Sequence, residues 1–211
     1  MPLTDQQIER YSRQIIVPGV GGQAQERLLA STITVVAEPA DAERVLPYMV
    51  GAGVGRTVVF PLGNRRAFEA IFQRLHDMNP EVAVGFAESE ACDLTFALIG
   101  SSRAPEEVAR LARAHRPGAA IIVRLDNPPR IAVLPAPPPC VLCADADLIG
   151  AVRSRSTIAG LVAMVATTEA FKLLAKSGGQ PQPRLIEFNG YAGEARALGW
   201  RAGARCACGA T

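Results

Sequence analysis

The residues best suited to chemistry in this chain are four cysteines in two tight pairs. Cys140-Val141-Leu142-Cys143 is answered near the other end by Cys206-Ala207-Cys208. Thiolates are soft ligands, and four of them from two knuckles make a closed tetrahedral set for zinc, a structural site with no open position. A metal there clips the C-terminal segment onto the body of the protein. In a chain without a secretory leader, close pairing favours metal over disulfides. Two other readings stand beside this one: unpaired surface thiols, or a redox pair at Cys140 and Cys143.

The remaining candidates are weaker. Cys92 precedes Asp93 at the mouth of a strand and reads as a small core residue. His76 and His115 fall near helix C-termini, where the dipole favours imidazolium, and neither has a metal-spaced partner. No Ser-His-Asp or Cys-His arrangement can be assembled from the sequence.

Phosphate chemistry is conspicuous by its missing parts. There is no G-x-x-x-x-G-K-[ST]. A dinucleotide or ATP site expects the first strand to run into G-x-G-x-x-G, but this one runs into Glu38-Pro39-Ala40-Asp41-Ala42. Glycines let backbone approach a phosphate, whereas Glu38 and Asp41 place negative charge there. Gly51-Ala52-Gly53-Val54-Gly55 precedes a strand rather than a helix and reads as a turn. Where the second strand of such folds ends in a ribose-binding carboxylate, this chain has Pro61-Leu62-Gly63.

The elements that must position these residues follow from spacing. Thr4-Asp5-Gln6-Gln7 is a capping box opening a helix to about Ile16. Pro18 to Gly22 interrupts it, and 23–30 is a second short helix. Strands are expected at 33–37, 57–60, 82–86, 94–99 and 119–123, and helices at 42–50, 66–78 and 105–115. The alternation predicts an α/β fold with a doubly wound, Rossmann-like, mostly parallel sheet. Residues 131–134 are a short strand and 135–139 a proline-rich linker. Ile158 to Leu174 is apolar on nearly every side, so the helix belongs in the core or at a subunit interface. Residues 184–188 and 194–200 form an antiparallel pair around Asn189-Gly190. The expected organisation is a helical N-terminal arm (1–30), a Rossmann-like core (31–125), and a segment (126–211) with the zinc knuckle, long helix and zinc-clipped C-terminal hairpin, completing the same domain.

Composition narrows the class. With 211 residues and 22.3 kDa there is room for one fair-sized core but not for two large domains. A net charge of +2 gives no electrostatic pull toward nucleic acid or anionic membrane. The longest apolar run, Ile158 to Ala166, is too short to span a bilayer. No apolar run follows a basic start at the N-terminus, so the expected location is cytoplasmic. Twenty of the basic residues are Arg, and Lys172 and Lys176 are the two lysines. Guanidinium suits planar recognition of phosphate and carboxylate, although codon bias gives the same skew.

Taken together, these residues resemble the ThiF/MoeB/HesA family, bacterial relatives of ubiquitin-activating enzymes. Arg10-Tyr11-Ser12-Arg13-Gln14 resembles its R-Y-x-R-Q opening, Gly51 to Gly55 its A-G-V-G turn, and Met78-Asn79-Pro80 its I-N-P. The cysteine pairs resemble its structural zinc site, and Glu169-Ala170-Phe171-Lys172-Leu173-Leu174 its E-A-I-K-x-L helix end. The resemblance implies a dimer and adenylation of the C-terminal glycine of a ubiquitin-fold protein, with ATP and magnesium. It also implies that Arg13 reaches the partner's nucleotide, with Arg10 acting beside it or pairing with a carboxylate.

Other parts of the family pattern are missing. The glycine-rich loop is replaced at 38–42 and the ribose carboxylate by Pro61 or Gly63. The phosphate-contacting segment is deleted before helix 66–78, and the family's lysine falls near Ala67 beside Arg66. Gly100 stands for the magnesium-binding aspartate, and 144–157 has no cysteine for a thioester or persulfide. The reading is a catalytically degenerate relative, a pseudoenzyme subunit. It would supply Arg13 to an active family member in a homodimer or heterodimer, or hold a ubiquitin-fold protein. The alternative is an active ATP-dependent adenylyltransferase with a rewired site. There Arg65 and Arg66, with Arg56 and Arg103, would neutralise phosphate and Asp126 or Asp93 would hold magnesium.

Overall fold

The computed structural model describes residues 2–87, 91–99, 117–125, 128–136 and 158–199. Helix α1 (Asp5–Ile15) starts at the expected capping box: the Thr4 hydroxyl accepts from the Gln7 N–H, and the Gln7 side chain accepts from the Thr4 N–H. Helix α2 (Gly21–Ala30) leads into β1 (Thr32–Ala37). There follow α3 (Pro39–Gly51), β2 (Arg56–Pro61), α4 (Ala67–Met78), β3 (Ala83–Phe86), β4 (Cys92–Ile99), β5 (Pro117–Arg124) and β6 (Arg130–Leu134). Helix α5 (Ala159–Ala175) and the hairpin β7 (Arg184–Asn189) and β8 (Glu194–Gly199) complete the fold.

The eight strands among the described residues form one sheet in the order β3-β2-β1-β4-β5-β6-β7-β8. The five strands β3 to β5 are parallel; β6, β7 and β8 add antiparallel. This is the mixed, mostly parallel Rossmann-like sheet expected from the alternation of strands and helices. The expected helix at 105–115 lies outside the described residues. Sequence spacing marked the 131–134 strand but not its place. It is the bridge that turns the parallel sheet antiparallel, pairing with both β5 and β7.

Strand β1 shows why the central strands read as unbroken β-branched runs. Ile33, Val35 and Ala37 pack into the core shared with the helices, and Val36 packs on the opposite face with Ala97, Ile99 and Ile122. Both faces are covered, as parallel strands require. Helix α5 lies against α2 and α3, and its small residues Ala159, Ala163, Ala166 and Ala170 are buried there. Its other side is wet: Leu161 remains 57% exposed. The buried Glu169 carboxylate ties α5 to β7 by accepting from both Lys172 and Arg184.

Helix α5 ends at Lys176 in the left-handed conformation, with φ 53°. Among the described residues Lys176 is the sole non-glycine with positive φ. A side chain here costs about 1–2 kcal/mol over glycine, the usual occupant of such a helix end.

Candidate functional site

In an open α/β sheet a ligand crevice lies outside the carboxyl ends of the strands where the order reverses. Here that point is β1, flanked by β2 and β4. Beyond β1, Glu38 is the N-cap of α3 and Pro39 occupies its first turn. A phosphate cradle needs free N–H groups at this helix start. Pro39 has none, and the N–H of Asp41 donates to the Glu38 carbonyl at 3.1 Å, beside the regular helical bond from Ala42 at 2.9 Å. The Asp41 side chain is buried, with Oδ1 3.6 Å from Arg44 Nε. At the end of β2, Leu62 is buried and its N–H donates to the Ala37 carbonyl. Gly63 follows at φ 90°. Neither position offers a carboxylate to a ribose. The residues present at this helix start do not fit a bound nucleotide triphosphate.

Arg65 and Arg66 follow β2, so they do stand at the crevice edge of the sheet. Arg65 is turned away from its centre, with its guanidinium stacked 3.9 Å from the centroid of Phe86 at the end of the outermost strand, β3. Phe86 in turn packs edge-on against Phe68 and Phe72. Arg66 is exposed at the start of α4, its N–H donating to Asn64 Oδ1. Arg56 and Asp93 begin β2 and β4. Five steps along a strand, about 17 Å, separate Arg56 from the crevice edge, so neither residue shares a site with Arg65 and Arg66. The Asp93 carboxylate accepts from the Thr32 N–H at 2.7 Å. Gly100, Arg103 and Asp126 lie outside the described residues.

The opposite edge carries the N-terminal arm. Tyr11 is 1% exposed. Its hydroxyl accepts from Asn79 Nδ2 at 3.0 Å and donates to Glu81 Oε2 at 3.4 Å. Asn79, itself buried, also donates to the Val50 carbonyl at 2.8 Å. The Tyr11 ring covers Gly53, where an added Cβ would lie 2.6 Å from Cζ and where φ is 82°. Burial pushes the Tyr11 phenol up from its ordinary value; the Asn79 hydrogen bond opposes this and the Glu81 charge adds to it. Three motifs that are weak singly, Arg10 to Gln14, Gly51 to Gly55 and Met78 to Pro80, thus meet in one cluster. Sequence reasoning placed each motif but missed that they meet; a lone aromatic, Tyr11, on a mostly polar helix was the available signal.

Arg10 pairs with Glu81, Nε to Oε2 at 3.9 Å. Arg13 is exposed in the last turn of α1, with no hydrogen-bond or ion-pair partner among the described residues. The structure therefore brings Arg10 and Arg13 together on one edge of the sheet and Arg65 and Arg66 together on the other. Ile8, Ile16 and Val17 of the arm are exposed apolar residues around Arg13.

Cys140, Cys143, Cys206 and Cys208 lie outside the described residues, and among the described residues no group of metal-ligating side chains converges. The strands that lead to the two pairs do end together. Val133 of β6, Arg184 of β7 and Gly199 of β8 stand in one row, so β6 and β8 end about 10 Å apart. Cys92 is buried, with Sγ 3.4 Å from Thr95 Oγ1, as a core residue. No helix among the described residues is long and apolar enough to cross a membrane.

No protein-family model matches the chain. Protein HesA, vegetative, of Trichormus variabilis is 35% identical over 39% of this chain and 38% of its own length. A sulfur carrier protein adenylyltransferase of Thermus thermophilus is 44% identical over 28% of this chain and 22% of its own. The matches thus span well under half the length of either relative. Among solved structures, E. coli MccB superposes with a TM-score of 0.71 over 94% of this chain and 71% of its own, at 12% identity. PaaA superposes with a TM-score of 0.65 over 93% of this chain and 84% of its own, at 14% identity.

Proposed function

We propose that the chain is a catalytically silent relative of the ThiF/MoeB/HesA family, to which its partial matches to HesA and to a sulfur carrier protein adenylyltransferase point, and a binding or regulatory subunit rather than an adenylating enzyme. The observation that carries this reading is the start of α3. Adenyl transfer depends on preorganised positive groups around the phosphates. Here the helix start lacks the Pro39 donor, has the Asp41 N–H engaged with the Glu38 carbonyl, and carries two carboxylates, Glu38 and Asp41. A phosphate entering there meets like charge and lost donors.

The arm supports the partner half of the proposal. Arg13 projects from the edge opposite the chain's own crevice, so it serves a nucleotide only in a second subunit. That subunit is an active family member, or a second copy if the chain forms a homodimer. The exposed Ile8, Ile16 and Val17 beside Arg13 supply apolar contact for such an arm. A ubiquitin-fold protein of the sulfur-carrier kind is the further partner, by analogy with the Thermus relative's name. The four thiols are proposed to hold structural zinc, and the adjacent ends of β6 and β8 support that pairing. Cys140 follows Leu134 by six residues and Cys206 follows Gly199 by seven. Thiols kept for metal fit a reducing, cytoplasmic compartment.

Calorimetric titration with magnesium-ATP tests the reading. The expected result is no saturable heat up to millimolar nucleotide. Micromolar binding overturns it in favour of an active adenylyltransferase whose site is rewired around Arg66.

A further inference from the structure

On the edge of the sheet opposite the crevice lies a cavity of about 560 Å³, between the ends of α2 and α5 and the starts of β4 and β5. That volume suits a small molecule. Its walls are apolar at Ala119, Pro135, Leu174 and Pro181, and its cations are Arg27, Lys172 and Lys176. Among the described residues Asp93 is the carboxylate on the wall, and it accepts from the Thr32 N–H.

Cations at two helix C-termini have an ordinary explanation, which is to cap the last carbonyls. Arg27 serves that purpose, and the remaining carbonyls are satisfied without the two lysines. The Leu28 carbonyl accepts from Ser31 and Gly55, the Lys172 carbonyl from Ser177, and the Ala175 carbonyl from Arg27 Nη1 at 2.9 Å. The Lys176 ammonium has no partner among the described residues. Lys172 pairs with Glu169, but that carboxylate is shared with Arg184, so one negative charge faces two positive ones. Among the described residues the cavity is left with surplus positive charge.

Two further observations point to the side chain of Lys176 rather than to its backbone. It is a non-glycine residue in a left-handed helix end, one residue removed from Gly178 and Gly179, which also adopt positive φ. An outlier of this kind signals a side chain with a use. The chain also has twenty arginines against two lysines, and both lysines stand on this one cavity. An ammonium is a compact point charge suited to an anion that does not present a planar fork.

We propose that this cavity binds a small organic anion with an apolar body, a phosphate monoester or a carboxylate. Its charge would lie against Lys176 and Lys172, and its body against Ala119, Pro135 and Pro181. The site is independent of the nucleotide reading, because it lies at the other end of the strands.

The test is a nuclear magnetic resonance titration of the full-length, isotopically labelled protein with 1-naphthyl phosphate, 1-naphthoate and inorganic phosphate. Saturable shifts are expected at Gly118 and from Lys172 to Gly179. Whichever naphthyl compound binds tighter identifies the anion. Lys176→Gly keeps the left-handed turn, so its melting temperature should not fall, while its affinity should drop about tenfold or more. No saturable shift at millimolar ligand overturns the proposal. Shifts confined to 61–66, or unchanged affinity in Lys176→Gly, overturn it equally. Inorganic phosphate binding as tightly as naphthyl phosphate overturns the role of the apolar walls.

Discussion

Asn79 places its Nδ2 atom 3.0 Å from the hydroxyl of Tyr11, a residue 68 positions earlier, and with the same nitrogen reaches the Val50 carbonyl. One buried amide thus fastens the first helix of the chain to the last turn of α3 and to the loop that opens β3. The outward presentation of Arg13 depends on that fastening, because Arg13 lies just over half a turn beyond Tyr11 on the same helix.

Removing the amide should be costly. Asn79→Ala removes the side-chain hydrogen bonds to the Val50 carbonyl, which keeps the Gly53 N–H, to the Tyr11 hydroxyl, which keeps Glu81, and from the Glu81 N–H, and we expect a loss of about 2–3 kcal/mol in urea denaturation. Tyr11→Phe removes only the hydroxyl and should lose about 1 kcal/mol. Equal losses for the two variants would show that Asn79 has no role beyond Tyr11.

The same cluster makes stability fall in alkali. The Tyr11 phenol is raised above 10.0 by burial, so the unfolded chain gives up this proton first. The folded state then binds more protons than the unfolded state, and stability decreases as pH rises. The neutral phenol's contribution is therefore intact below about pH 10 and is lost above it. In Tyr11→Phe the decline above pH 10 should be shallower than in the natural sequence. Parallel curves would assign the alkaline loss to other groups.

Arg13→Ala should leave the melting temperature nearly unchanged, within about 0.5 kcal/mol of stability, because the side chain is exposed and unpartnered among the described residues. Mixed with an active family partner, the variant should lower adenylation by that partner. Full partner activity with Arg13→Ala would remove the trans role.

Elemental analysis of the purified protein should find zinc. Cys143→Ser should reduce the zinc content and lower the melting temperature, most visibly as faster amide exchange in β7 and β8. A natural protein free of zinc, with a melting temperature indifferent to chelator, would refute the metal site.

Most of the fold was legible because its signals are local. The β-branched run of β1, the capping box at Thr4 and the Asn189-Gly190 turn each state their own geometry within a few residues. The strand order was not legible, since nothing near Ile131 says that it will lie between β5 and β7. The site was legible mainly as a set of departures. Glu38-Pro39 in place of glycines is visible in sequence, but the engagement of the Asp41 N–H with the Glu38 carbonyl is a backbone fact. The stacking of Arg65 on Phe86, and the separation of Arg13 from Arg66 by the length of a strand, depend on topology. So does the convergence of both lysines on one cavity, where sequence alone offered only an uneven count.

The bridging position of β6 has a kinetic consequence. Strands β1, β2 and β3 with α3 and α4 are joined by short crossovers and can assemble as a local unit. The pairing of Arg130 with Glu187, fixed by a cross-strand ion pair at 2.7 Å, must instead close a loop of more than fifty residues. Long closures are slow, and their entropic penalty precedes the contacts that offset it. We predict that the parallel half becomes protected first during refolding and the β7–β8 hairpin last, which pulse-labelled hydrogen exchange would resolve. Simultaneous protection of both halves would contradict it. On a ribosome, the same order leaves the hairpin as the final piece to dock, after the rest of the sheet is in place.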